Sequence, residues 1–380
     1  MLLKLARDIV SVVKDQISSK RIQKIKRLLI RQKITDFKYV EGLVRWSAST
    51  EFLEKEEWNL TDVFRVIRPK VKNLPSYTEA CKSISSIYAI KDIEAESRLE
   101  RFSDYIVEKV LNGEVGDETL VDAITTFVND LENNPIIWNI SVEIIGLWLK
   151  DEEIEIIKGV KLRKPIPNDL EFERPVESLV PMFVEPISTL SAVLEITQRE
   201  KSRENIRLRL DKVLLALRLF KIGSVQALKI KWMPKSILES GYVSWTYRLQ
   251  PVVYKYPLSS EELEKIKTFF NKMLPLLPTI RGRTGAGDHL FISIQRYNDS
   301  LFQPDPSERL AYAIMGLESL FLKSREREEL AHRLGQRVAK CLSVFDHEPL
   351  EVYNIVKNSY DIRSCLLYTS DAADELDGVD

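Results

Sequence analysis

Residues 305–364 read DPSERLAYAIMGLESLFLKSREREELAHRLGQRVAKCLSVFDHEPLEVYNIVKNSYDIRS, and the apolar spacing in this stretch decides the fold. Asp305 is placed to cap a helix, Pro306 stands at its first position, and Glu308 completes a capping box. Leu310, Ile314, Leu317 and Phe321 then recur at helical spacing. Leu330, Leu334, Val338, Cys341 and Phe345 trace a matching stripe on a second helix. A third opens at Pro349 and carries Val352, Val356, Ser359 and Ile362 on one face. Amphipathic helices joined by short polar turns predict an antiparallel bundle, with Leu290–Leu301 as its first helix and Arg363 at its close.

Three features of this stretch go together: Arg309-Leu310 ahead of an apolar helix that embeds LESL (317–320), the helix HRLGQRVAKCL (332–342), and the closing YDIRS (360–364). Together they resemble the HEPN superfamily, in its Apea-like branch. The resemblance implies a helical bundle whose last helix carries an Arg, a polar residue, a few spacers and then a His. Arg363 and Ser364 match the first half. Five positions beyond Arg363, where the family most often has its His, stands Tyr368, and none of residues 365–370 is His.

In active members of that family the Arg and His of two subunits meet across a dimer interface and cleave RNA without a metal. The His acts as general acid or base, and the Arg offers a planar, permanently charged fork to the charge that builds on the phosphate. The resemblance therefore implies Arg363 and Ser364 as catalytic residues, a homodimer, RNA as partner, and neither cofactor nor metal. It implies a metal-independent endoribonuclease as the intact parent and an inactive chain here, for want of the His. HEPN bundles also serve as non-catalytic RNA-binding, nucleotide-binding or dimerisation modules, which is the alternative. In that case Glu318, in the middle of an apolar helix, supports the bundle by pairing with Arg363 or Arg337, because a lone buried carboxylate is costly. Tyr360 and Asp361 belong to the same support.

Cys365–Glu375, CLLYTSDAADE, does not continue the amphipathic period of the preceding helix. It resembles the translation of a transposase sequencing adapter, which makes 365–380 a non-native tail and leaves the bundle without its last helix. A degenerate family member with an unusual natural tail is the other reading.

Composition sets the outer bounds. With 44% hydrophobic and 30% charged residues, the 380-residue chain is of ordinary globular type. A net charge of −1 excludes a global basic field, so any RNA contact has to come from a local patch. Cys81, Cys341 and Cys365 make no disulfide framework, which points to a reducing compartment. Three His and no paired Cys speak against structural zinc. Met1-Leu2-Leu3 runs at once into Lys4 and Arg7, and the most apolar segment, 136–149, is too short to span a bilayer. The expected location is cytoplasmic.

Residues 1–280 read as a helical region with short strands, and RGRTGAGD (281–288) as a linker. That linker lacks the closing Gly-Lys-Ser/Thr of a phosphate-binding loop. Residues 1–33 predict a basic amphipathic helix or helix pair, in which Lys20, Arg21, Lys24, Arg27 and Arg31 either meet RNA phosphates or form a solvated face. Residues 186–222 predict helix, ended by Gly223 in a left-handed cap. Residues 225–256 predict strands, whose Tyr242, Trp245, Tyr247, Tyr254 and Tyr256 stack on bases or pack a sheet. Asp151, Glu152, Glu153 and Glu155 read as a solvated turn rather than a metal cluster. The fold class expected is mainly α: a mixed α/β N-terminal region followed by a HEPN-type helical bundle (289–364).

Overall fold

A computed structural model describes residues 1–176, 190–246, 249–277, 289–323 and 325–376. The chain opens with helix α1 (Leu2–Ser18), a hairpin of β1 (Lys24–Val40) and β2 (Leu43–Trp58), and helices α2 (Leu60–Lys72), α3 (Pro75–Tyr88), α4 (Asp92–Leu111) and α5 (Asp117–Leu131). Strands β3 (Ile136–Ile145), β4 (Leu147–Leu149), β5 (Glu153–Ile157) and β6 (Val160–Arg163) follow, then the short α6 (Pro167–Leu170) and β7 (Phe172–Pro175). Next come β8 (Ala192–Glu200), α7 (Arg203–Phe220), β9 (Gln226–Pro234), β10 (Tyr242–Trp245), β11 (Tyr256–Leu258) and α8 (Leu263–Met273). The last elements are α9 (His289–Ser300), α10 (Pro306–Phe321), α11 (Leu330–Leu342) and α12 (Pro349–Leu376). The fold is mixed α/β with a helical majority. It divides into two compact units: residues 1–143, 158–207 and 229–245 form the first, and residues 144–157, 208–228 and 246–380 the second. The second gathers segments from both sides of residue 281.

In the first unit, α1 to α5 share one apolar core. Leu5, Ile9 and Val13 of α1, spaced by one helical turn, pack with Ile67, Ile84, Leu99, Phe102, Ile106 and Phe127. Phe102 and Phe127 stack at 4.7 Å between ring centroids. The expected basic helix pair over 1–33 is half right. Helix α1 ends at Ser18, and Lys24 onward is strand β1, paired antiparallel with β2 from Lys24↔Trp58 to Val40↔Leu43. Two left-handed residues, Glu41 and Gly42, turn the hairpin, at φ 46° and 78°.

Five further strands of the first unit lie side by side in the order β10-β9-β3-β8-β6. The expected helix over 186–222 is corrected here: Ala192–Glu200 is strand, and helix begins only at Arg203. Ala192, Val193, Leu194 and Ile196 are all buried, so the strand shows no clean alternation to tell it from a helix. Across this sheet Lys229 Nζ of β9 meets Glu143 Oε1 of β3 at 2.7 Å, with side chains only 13% and 6% exposed. Arg163 of β6 holds Asp169 at 2.7 Å and Glu195 of β8 at 2.7 Å.

In the second unit, Ser224 is a hub. Its N–H donates to Tyr254 O, its hydroxyl donates to Leu301 O at 2.7 Å, and the same oxygen accepts from Val253 N and Tyr254 N. Gly146 lies against Ser224, and Gly223 against the Tyr256 ring. The left-handed cap expected at Gly223 is not formed, since Gly223 is not among the positive-φ glycines. Instead, the last carbonyls of α7 accept from tyrosines: Tyr256 Oη donates to Leu217 O and Tyr297 Oη to Arg218 O, both at 2.8 Å. Arg218 donates to Val225 O and Asn298 Oδ1, and desolvation pushes its pKa down to about 10.

Helices α9 to α12 complete this unit, α10 packing against α9, α11 and α12. Asp305 Oδ1 accepts from Ser307 N at 2.7 Å and Glu308 N at 3.1 Å, so the α10 cap sits where the sequence places it. Ile314, Leu334, Val338 and Val356 form the core, with Leu310, Leu317, Phe321, Leu342, Val352 and Tyr360 around them. Cys341, Phe345 and Ile362, expected on the inner faces, are exposed. On α12 the inner row is Val352, Val356 and Tyr360, at steps of four. Ile362 falls six positions past Val356, on the far side, and Phe345 lies beyond the end of α11. Helix α12 keeps its helical backbone past Ser364 to Leu376.

Candidate functional site

The inner row of α12 decides what Arg363 can do. Three positions beyond Tyr360, Arg363 is the next residue on that row, so its side chain enters the helical cluster instead of solvent. There its NH2 lies 3.4 Å from Glu318 Oε2 of α10, with the two side chains 18% and 20% exposed. The Arg363 guanidinium lies 5.8 Å from the centre of the Tyr360 ring. Its Nε is buried without a hydrogen-bond partner among the described residues. Burial, followed by the Glu318 charge, pushes the Tyr360 phenol pKa up. This half-buried guanidinium thus faces the Glu318 carboxylate at long distance, its Nε donor unused among the described residues.

Ser364 does not share this environment. Its hydroxyl donates to Tyr360 O at 3.0 Å, an ordinary back-bond along the helix. Asp361 is exposed. Of the two arginines considered for Glu318, Arg363 is the one beside it. Arg337 belongs to Glu326 instead, with NH1 and NH2 at 2.8 and 2.7 Å, and also donates to Phe321 O at the end of α10. Arg333 approaches the same carboxylate at 3.6 Å.

Sequence reasoning missed Glu326, which stands in the charged segment KSREREE, where no periodicity singles out one acid. The hydrogen bonds from Arg337 pull its pKa down to about 2 from an ordinary 4.5. A depressed carboxylate stabilises the fold above its unfolded pKa and loses that contribution as pH falls through the folded value. Acid unfolding of the second unit should therefore include a loss between about pH 4.5 and 2 that Glu326→Gln removes. Equal acid sensitivity of the two proteins would count against the clamp.

The basic residues of the amino-terminal region are brought together only in part. Lys20 and Arg21 lie in the turn after α1, while Lys24, Arg27 and Arg31 are on β1. Arg27 reaches Glu57 at 4.0 Å, and Arg31 and Lys55 both hold Glu173 of β7. Lys24 lies 5.7 Å from the centre of the Trp58 ring. Acids on β2 and β7 thus take up the charge of Arg27 and Arg31. Of the aromatics of 242–256, Tyr242 stacks on Trp232, Tyr254 faces Arg309 and Tyr256 is buried, while Trp245 faces Lys229 and is exposed. Tyr247 and the RGRTGAGD segment lie outside the described residues. Asp151 caps Ser260, accepting from its backbone N at 2.6 Å. Among the described residues no group of three or more His, Cys, Asp or Glu could hold a metal ion, and no helix is long and apolar enough to cross a membrane.

No family model, no curated protein and no solved structure matches this chain.

Proposed function

We propose that helices α9 to α12 are a HEPN-type RNA-processing module and that Arg363 is its phosphate-binding residue. One observation carries this reading: Arg363 sits on the inner row of α12, half-buried, with no partner for its Nε among the described residues. Arg337, by contrast, commits both terminal nitrogens to Glu326 and to the Phe321 carbonyl. In the parent enzyme the guanidinium stabilises charge on the scissile phosphate, and a His five positions further along the helix moves the proton. With Tyr368 at that position, this chain binds RNA without cutting it. The catalytic pair is shared between two copies, and the exposed Ile355 and Ile362, two turns apart on the outer face of α12, give a second copy apolar surface to cover.

The test is binding and cleavage of single-stranded RNA in the presence of a chelator. The expected outcome is binding without cleavage, with Arg363→Ala weakening affinity about tenfold, the worth of one charge-assisted hydrogen bond. Arg363→Lys, which keeps the charge beside Glu318, separates loss of the fork from loss of stability. Affinity unchanged in Arg363→Ala, in a protein that stays folded, would remove the support for this reading. In that event a purely structural Arg363–Glu318 pair would stand.

A further inference from the structure

In the first unit a cavity of about 310 Å³ lies between α4, the end of α5 and the loop after β9, near the lower end of the small-ligand range of roughly 300–1,000 Å³. Its wall carries three acids, and all three are engaged. Glu94 holds Arg98 on the same helix. Asp130 accepts from Ser236 Oγ at 2.8 Å, Ile237 N at 2.7 Å and Leu238 N at 3.2 Å, which fixes the loop that forms the rim. Glu239 pairs at 2.9 Å with Arg203, whose charge comes from outside the lining.

Two cations on the wall have no carboxylate partner among the described residues. Arg101 donates to the carbonyl of Leu238, and Lys201, in the turn between β8 and α7, is exposed. With Arg203 counted, the cluster carries one positive charge in excess. A guanidinium fork and an ammonium beside an open polar cavity form a donor set suited to phosphate. The remaining lining fits hydroxyl groups: Asn133, Asn134 and Ser97 supply amide and alcohol partners. Among the described residues no aromatic ring lines the cavity, so a nucleobase would find nothing to stack on.

We propose that this cavity binds a small phosphorylated sugar, its phosphate against Arg101 and Lys201 and its hydroxyls against Asn133, Asn134 and Ser97. The site is separate from Arg363 and does not depend on the RNA-processing reading.

Calorimetric titration of the full chain with ribose 5-phosphate, ribose and inorganic phosphate tests it. Ribose 5-phosphate should bind at least about tenfold more tightly than either of the others, and Lys201→Ala and Arg101→Ala should each weaken it about tenfold. Lys201 is exposed and has no carboxylate partner among the described residues, so its truncation leaves the fold intact and reads the contact alone. The proposal is overturned by any of four outcomes: no binding of ribose 5-phosphate, equal binding of inorganic phosphate, affinity unchanged in Lys201→Ala, or tighter binding of a 5′-phosphorylated oligonucleotide through the same two cations.

Discussion

Replacing Lys229 with methionine should destabilise the first unit by about 3–5 kcal/mol, because it leaves the Glu143 carboxylate buried without its ion-pair partner. Glu143 is only 6% exposed, and Lys229 reaches it at 2.7 Å while lying 4.8 Å from the centre of the Trp245 ring. Burial already pushes the Glu143 pKa up, with Lys229 the largest opposing influence. The sign of the pH dependence follows. A carboxylate whose folded pKa is raised binds its proton more tightly in the folded chain, so stability falls as pH climbs above the unfolded value. The deficit of Lys229→Met should accordingly shrink as the medium is acidified. Urea unfolding at two pH values measures both effects. The double variant Lys229→Met, Glu143→Leu should recover most of the loss, since the attraction of a buried pair often only offsets its desolvation. A single variant as stable as the wild type would mean that water reaches the pair.

Gly146→Ala should be comparably damaging to the second unit, through geometry alone. Gly146 has φ +85°, and an added Cβ would come 2.3 Å from Ser224 O and 2.9 Å from Val225 N. Both obstacles are backbone, so no side chain can swing aside. The Ser224 segment is itself tied to Tyr254, Val253 and Leu301. The cost should exceed the ~1–3 kcal/mol of ordinary overpacking, with the left-handed backbone adding to it. Thermal unfolding reads this directly, with Gly113→Ala as the comparison. Gly113 has a similar φ of +84° but open space around it. Equal losses at the two glycines would show that backbone conformation, and not the clash, sets the cost.

The C-terminal helices were legible because their signals are local. A capping aspartate, a proline at the first position and apolar residues at steps of three and four specify a helix without reference to the rest of the chain. Fine placement was less legible. Val352, Val356 and Tyr360 step by four, but the sequence fits steps of three equally well, and the choice between Ser359 and Tyr360 decides which way Arg363 points.

The first part of β1, inside the helical reading of 1–33, was missed for a different reason. In KIKRLLIRQKITDFKYV the spacing of Ile25, Leu28 and Leu29 suits a helix, and the strand does not alternate because Ile25 and Leu28 are both exposed. The Glu41-Gly42 turn was the available signal, with left-handed backbone at both residues. Glu326 was invisible because a run of alternating charges pairs equally well in many ways until the fold chooses.

Metal-free RNA cleavage by a chain carrying Tyr368→His tests the role of Arg363 most directly. With a chelator present, the unaltered chain should leave RNA intact, Tyr368→His should cut it, and adding Arg363→Ala should abolish the cutting while the protein stays folded. Two results would contradict the role given to Arg363: cleavage by Tyr368→His that Arg363→Ala leaves unchanged, or a folded, dimeric Tyr368→His protein that leaves RNA intact.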